Sequence, residues 1–101
     1  MIVQQLSEYL QWLEVERGLS KNTIFAYEND IMEFFNFHSK IENADEIKRN
    51  DFRKFTFHLA QKGDKPSSIT RKIASIKGFF RYLSASKEIN SNPSLGISSR
   101  S

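Results

Sequence analysis

The sequence predicts an all-α fold, a compact bundle of four amphipathic helices around one core. Three observations predict it. Apolar residues recur three and four positions apart in four separate stretches. Gly, Pro, Ser and Asn sit between those stretches, where a helix must stop or start. No stretch alternates apolar and polar residues as a strand would. A chain of 101 residues has the length for one small domain, and a hydrophobic content of 39% with nine Phe argues against disorder.

The first helix carries Ile2, Leu6, Tyr9, Leu10 and Leu13 on one stripe and stops before Gly18, a residue suited to a left-handed helix end. Ser20 is placed to cap the second helix, because its hydroxyl can accept from a free first-turn N–H. That helix presents Ile24, Tyr27, Ile31, Phe34, Phe35 and His38 on one face. The segment IENADEIKRN has no period and reads as a connection. Asn50 is the expected cap of a third helix with Phe52, Phe55 and Leu59 inward, ended by Lys62-Gly63-Asp64. Pro66 suits the first turn of the fourth helix, where its missing N–H costs nothing. Ile69, Ile73, Ile76, Phe80 and Leu83 form its stripe. The helices are expected near 2–17, 21–39, 51–62 and 66–86. Asn92-Pro93 marks a turn, and the polar tail GISSRS reads as an interdomain linker.

Composition excludes several classes of function. There are no cysteines, so disulfides and thiolate metal sites are out. Glu8, Glu14 and Glu16 make the first twenty residues unlike a secretory signal, and no apolar run approaches the ~20 residues of a membrane span. A cytoplasmic location is expected. His38 and His58 lack metal-ligand spacing and read as core or boundary residues. Tyr9 and Tyr27 fall on core stripes and Tyr82 flanks one, with no cationic group recognisable around any of them. Asp30 and Glu33 share a helix surface as solvated carboxylates. No phosphate loop, nucleophile elbow or catalytic constellation is present, and no cofactor or metal is expected.

Charge is unevenly spread. Residues 1–61 hold seven Lys/Arg and ten Asp/Glu, whereas residues 62–101 hold eight and two. A localised cationic surface suits a polyanion, although a solvated basic helix face gives the same count. The fourth helix sharpens the question. With Ile69 at the origin of a helical wheel, its apolar stripe lies within about 40°, while Thr70, Ala74, Gly78 and Arg81 fall between about 100° and 180°. Lys77 and Arg71 border this strip of small residues. A Gly in a helix interior costs roughly 1 kcal/mol against Ala, so something must compensate. Either a neighbouring helix packs against Ala74 and Gly78, or the strip enters a DNA major groove about 12 Å wide with cations at its margins. The start of the second helix, Ser20, Lys21, Asn22 and Thr23, offers free N–H groups and a positive dipole end to a phosphate.

The run GLSKNTIFAYENDIMEFFNF, then SSITRKIASIKGFFRYL, then NP, resembles the N-terminal core-binding domain of tyrosine site-specific recombinases, the phage-integrase and Xer-type family. The resemblance covers nearly the whole chain. It implies a SAM-like bundle of four or five helices that forms one half of a C-shaped clamp on double-stranded DNA, with its second and fourth helices facing the major groove. It matches Ser20, Lys21, Asn22, Thr23 and Tyr27 to one contacting segment, and Ser68, Arg71, Ser75, Lys77 and Arg81 to the other. At Gly78 the chain departs from the family's larger, often basic residue, which points to a backbone contact there. The family's chemistry belongs to a following C-terminal domain with an Arg/Lys/His pentad and a nucleophilic tyrosine. Neither histidine here opens the His-x-x-Arg motif, since His38 is followed by SKI and His58 by LAQ. The resemblance therefore implies a non-catalytic DNA-binding domain over 1–93, a linker over 94–101, a monomer in isolation and a tetramer of the full protein on DNA. A helical DNA-binding regulator and a helical protein-interaction module are the alternatives.

Overall fold

The computed structural model describes residues 2–97. Four helices follow one another: α1 (Ile2–Val15), α2 (Lys21–Phe37), α3 (Arg49–Gln61) and α4 (Pro66–Ala85). A single 3-10 turn, Ala44–Glu46, lies in the α2–α3 connection that had no readable period. No strand occurs among the described residues. The radius of gyration is 12.9 Å, against about 13 Å for a close-packed chain of this length. No described helix is long and apolar enough to cross a membrane.

The caps explain the boundaries. Gly18 has φ of 63°, and the Leu19 N–H reaches back to the Leu13 carbonyl at 3.3 Å, closing α1. Ser20 caps α2 as expected, its Oγ accepting from the Thr23 N–H at 3.2 Å. Helix α3 corrects the reading of Asn50 as its cap. The helix begins earlier, with Lys48 at the cap position, because the Asp51 carboxylate turns back to accept from the Lys48 N–H at 2.8 Å. Pro66 occupies the first turn of α4. Past α4, residues 94–97 do not leave the bundle: Arg49 donates to the Leu95 carbonyl at 2.9 Å, Lys77 donates to that of Ile97, and Ile97 packs on the core. Residues 98–101 of the expected linker lie outside the described residues.

Helix α4 is the centre of the molecule and packs on all three other helices. Its buried arc is therefore wider than the five-residue stripe. It takes in Phe79, at 0% exposure, and Ser75, both of which the narrower stripe left out. Phe34 is the hub of the core, with its ring centroid 5.1 Å from those of Phe35, Phe52 and Phe55. These offset and edge-on contacts each add about 0.5–1.5 kcal/mol beyond area burial. Helix α1 attaches through Tyr9, whose ring lies 5.4 Å from Phe79 and 5.0 Å from Tyr82. A Cβ at Gly78 would stand 2.8 Å from the Tyr9 hydroxyl oxygen. The packing alternative thus accounts for Gly78: its smallness makes room for a tyrosine of the neighbouring helix. Ala74, on the same strip, is exposed.

A square of charges ties α2 to both ends of the α3–α4 turn. Lys62 and Lys72 each pair with both Glu33 and Asp64, at 2.8–3.1 Å. Glu33 is thus no simple solvated carboxylate. Burial works to raise its pKa, but the hydrogen bonds from Lys72 and Lys62 outweigh it and hold the group below its ordinary value. Asp64 is lowered chiefly by its hydrogen bond from Lys72.

Two outcomes follow from this packing. Glu33 and Asp64 have folded pKa values below their unfolded ones, so their stabilisation is present above the usual carboxylate range near pH 4 and is lost as pH falls through it. Melting temperature should therefore drop more steeply below about pH 5 in the native protein than in a Glu33→Gln, Asp64→Asn double variant. At Gly78, helix propensity favours alanine by roughly 1 kcal/mol, while the Tyr9 hydroxyl opposes it. Gly78→Ala should lower the melting temperature in the native background and raise it in a Tyr9→Phe background. Gly78→Leu should cost about 1–3 kcal/mol by overpacking.

Candidate nucleic-acid interface

Helix α2 packs against α4, and Leu19, just before α2, and Tyr27 share a small cleft with Ala74, Gly78 and Arg81 of α4. Lys21, Asn22 and Thr23 are exposed on the first turn of α2. Ser20 is exposed too, but its hydroxyl is engaged in the cap and in a 3.0 Å bond to the Thr23 hydroxyl. Tyr27, one turn further on, is half-buried and faces α4 across a small cleft. On α4, Arg71, Ala74 and Arg81 are exposed, while Ser68, Thr70, Lys77 and Gly78 are half-buried.

Two matched residues are engaged within the protein. Ser75 is buried, at 4% exposure, and its hydroxyl is committed to Asp30 Oδ2 at 2.9 Å and to the Arg71 carbonyl at 3.1 Å. It lies about 120° from Ile69 on the wheel, on the side of α4 that meets α2. Lys77 turns toward the 94–97 segment and spends its ammonium on the Ile97 carbonyl. That segment reads in the sequence as open linker, so no partner for Lys77 was visible there.

Asp30 corrects another expectation. It is 3% exposed and accepts from Arg71 Nε at 3.2 Å and Nη2 at 3.0 Å, with Ser75 as third donor. A buried carboxylate without such donors would cost several kcal/mol. The arginine side chain is itself 56% exposed. Asp30 thus grips two of the five N–H groups from beneath, and the remainder of the planar guanidinium is left to solvent. A charged group on a flexible stem becomes a fixed fork on the surface of α4.

Arg17 was absent from the sequence reading. It follows α1 and lies beside the Trp12 ring, 6.0 Å from its centroid. Together with Tyr9, Tyr27, Ala74, Gly78 and Arg81 it lines a cleft of about 150 Å³. This corrects the expectation that no tyrosine has cations around it. Burial first, and Tyr27 second, push the pKa of the Tyr9 hydroxyl up to about 12 against the opposing pull of Arg17 and Arg81. The only sequence signal at Arg17 was its place before the helix-ending Gly18, and nothing in a one-dimensional pattern brings α1 to Arg81. A larger, apolar groove of about 570 Å³ lies elsewhere, between α3 and Ile97, and includes none of the expected contacts.

The histidines sit at the edge of the core. His38 Nε2 lies 3.0 Å from the Asp51 carbonyl, and His58 stacks on Phe37 at 4.5 Å. No group of three metal-binding side chains occurs among the described residues.

Comparison with known proteins identifies the family. Residues 6–87 match the family model described as phage integrase, N-terminal SAM-like domain. The chain is 39% identical over 98 residues to tyrosine recombinase XerC of Herpetosiphon aurantiacus, covering 95% of this chain and 32% of that protein. It is 34% identical over 93 residues to tyrosine recombinase XerD of Rickettsia bellii, covering 91% and 30% respectively. With XerD of Oceanobacillus iheyensis the identity is 31% over 100 residues, 96% of this chain and 34% of the relative. The chain spans about a third of the length of these relatives. No solved structure matches it at a comparable level. A helical bundle of this order, matched along most of its length by one family model and similar to Xer tyrosine recombinases, belongs to the phage integrase N-terminal SAM-like domain family.

Proposed function

We propose that this domain binds duplex DNA at a recombination half-site through the first turn of α2 and the outer arc of α4, and so positions a catalytic domain that follows it. The observation that carries the reading is the surface guanidinium of Arg71, fixed from below by buried Asp30, on the same side as exposed Ala74 and Arg81. A small-residue strip flanked by oriented cations fits a groove and its phosphate walls. Lys21, Asn22 and Thr23 supply a second point of attachment at a helix N-terminus. Ser75 contributes by holding Asp30 rather than by touching DNA.

The domain as given leaves DNA uncut in this reading. The strand-cleaving chemistry belongs to the part of the recombinase beyond this bundle, which holds the chain at least as far as Ile97. The isolated domain is a monomer, and the whole recombinase assembles as a tetramer on DNA in the cytoplasm. The names of the relatives, all tyrosine recombinases, support breaking and rejoining of DNA by the full protein.

Binding to a duplex should weaken linearly with salt on logarithmic axes, by a slope of about 0.9 for each phosphate contacted. Arg71→Ala should cost about 1–3 kcal/mol of affinity and flatten discrimination between duplex sequences. Asp30→Asn, which leaves the guanidinium in place but frees it, should lose affinity in the same direction together with about 1–3 kcal/mol of stability. Unchanged binding in both variants at low salt, by fluorescence anisotropy, would remove α4 from the interface. With a nicked duplex, denaturing electrophoresis should show no covalent protein–DNA adduct.

A further inference from the structure

We propose that the cleft between Arg17 and Arg81 is a seat for one phosphate group, with the Tyr9 hydroxyl donating a hydrogen bond to a phosphate oxygen. That the phosphate belongs to a DNA backbone rests on the function proposed above; the seat itself does not.

The argument starts from Tyr9. The residue is only 4% exposed, and its ring is fixed among Trp12, Phe79 and Tyr82. Buried polar groups are ordinarily paired, and no fully enclosed side-chain donor or acceptor is left unpaired among the described residues. Among the described residues the Tyr9 hydroxyl meets no hydrogen-bond partner, and Tyr9 lines the cleft. Gly78 is why it can: any side chain there would stand on the hydroxyl. The helix accepts the conformational cost of a glycine at the one point where a methyl group would cover the donor.

The walls have the matching charge. Arg17 and Arg81 face the same space from α1 and α4, and Tyr27 adds a second phenol from α2. No acid is among the described residues that line the cleft. Asp30, linked to it through Ser75, already has its charge matched by Arg71. Arg17 is steadied against the Trp12 ring, which leaves its guanidinium beside the cleft rather than folded onto a carboxylate. Two guanidinium groups and a protonated phenol, aimed at about 150 Å³ of open space, make a donor set for a tetrahedral oxyanion. A carboxylate would use one edge of it. A phosphodiester presents two free oxygens to both arginines and to the phenol.

Two probes test the seat. The first is random-sequence duplex, titrated across salt by fluorescence anisotropy. The Arg17→Ala, Arg81→Ala double variant should lower the salt slope by about 0.9, the value of a single shared phosphate, where two separate contacts would lower it by about 1.8. Tyr9→Phe removes an uncharged donor, so affinity should fall about threefold to tenfold at unchanged slope, with the melting temperature held because the hydroxyl has no protein partner. The second probe is inorganic phosphate at constant ionic strength, followed by NMR of the Tyr9 ring and the Arg17 side-chain N–H. Saturable shifts in the native domain, lost in Arg17→Ala and in Tyr9→Phe, support the seat. Saturation by phosphate without any duplex binding keeps the seat and rejects the DNA reading. Tyr9→Phe with both duplex affinity and phosphate response intact, or a double variant whose slope falls by about 1.8 or not at all, overturns the proposal.

Discussion

One helix has to serve as core and as surface at the same time, and the rest of the domain is arranged around that constraint. Helix α4 meets α1, α2 and α3, so most of its circumference is spoken for. What remains is an arc of roughly 60° that carries Lys77, Thr70, Arg81 and Ala74. On one flank of that arc the helix buries Ser75 and Phe79, and on the other Ile73 and Phe80. Three of its charged side chains are held by neighbouring elements: Arg71 by Asp30, Lys72 by Glu33 and Asp64, and Lys77 by the chain after α4.

That arrangement explains which parts of the structure can be read from the sequence. Apolar periodicity is a local signal, so the four helices and the Ser20 and Pro66 starts are legible in it. The inward stripe of α4 is legible for the same reason. The width of its buried arc is not, because width depends on how many helices surround it. Ser75 and Arg71 look alike on a wheel, as polar residues off the stripe. Only the approach of α2, bringing Asp30 from forty-one positions away, separates a buried hydroxyl from a half-exposed guanidinium. The early start of α3 was missed because Asp51, inside the helix, caps it backward and Asn50 does not.

Gly78 shows the same limit from another side. Its place on the wheel, opposite the main stripe, suggests a solvent-facing gap. In the folded chain that gap is occupied by the end of a tyrosine from α1. The two readings of a small residue, room for a neighbouring helix and room for a ligand, meet here, for the neighbour it accommodates is a polar group that faces outward again. Arg17, on a different helix and beyond its last turn, completes the surroundings.

The Asp30–Arg71 pair has a consequence for the thermodynamics of recognition. An arginine free in solvent carries roughly 2 kcal/mol of rotamer entropy that a complex must take away. Here the buried carboxylate withdraws much of that freedom when the chain folds, before any partner arrives. The entropic cost is shifted from association to folding, where the large core of phenylalanines absorbs it. In the proposed role on DNA, the guanidinium would meet its partner with little rearrangement of its own.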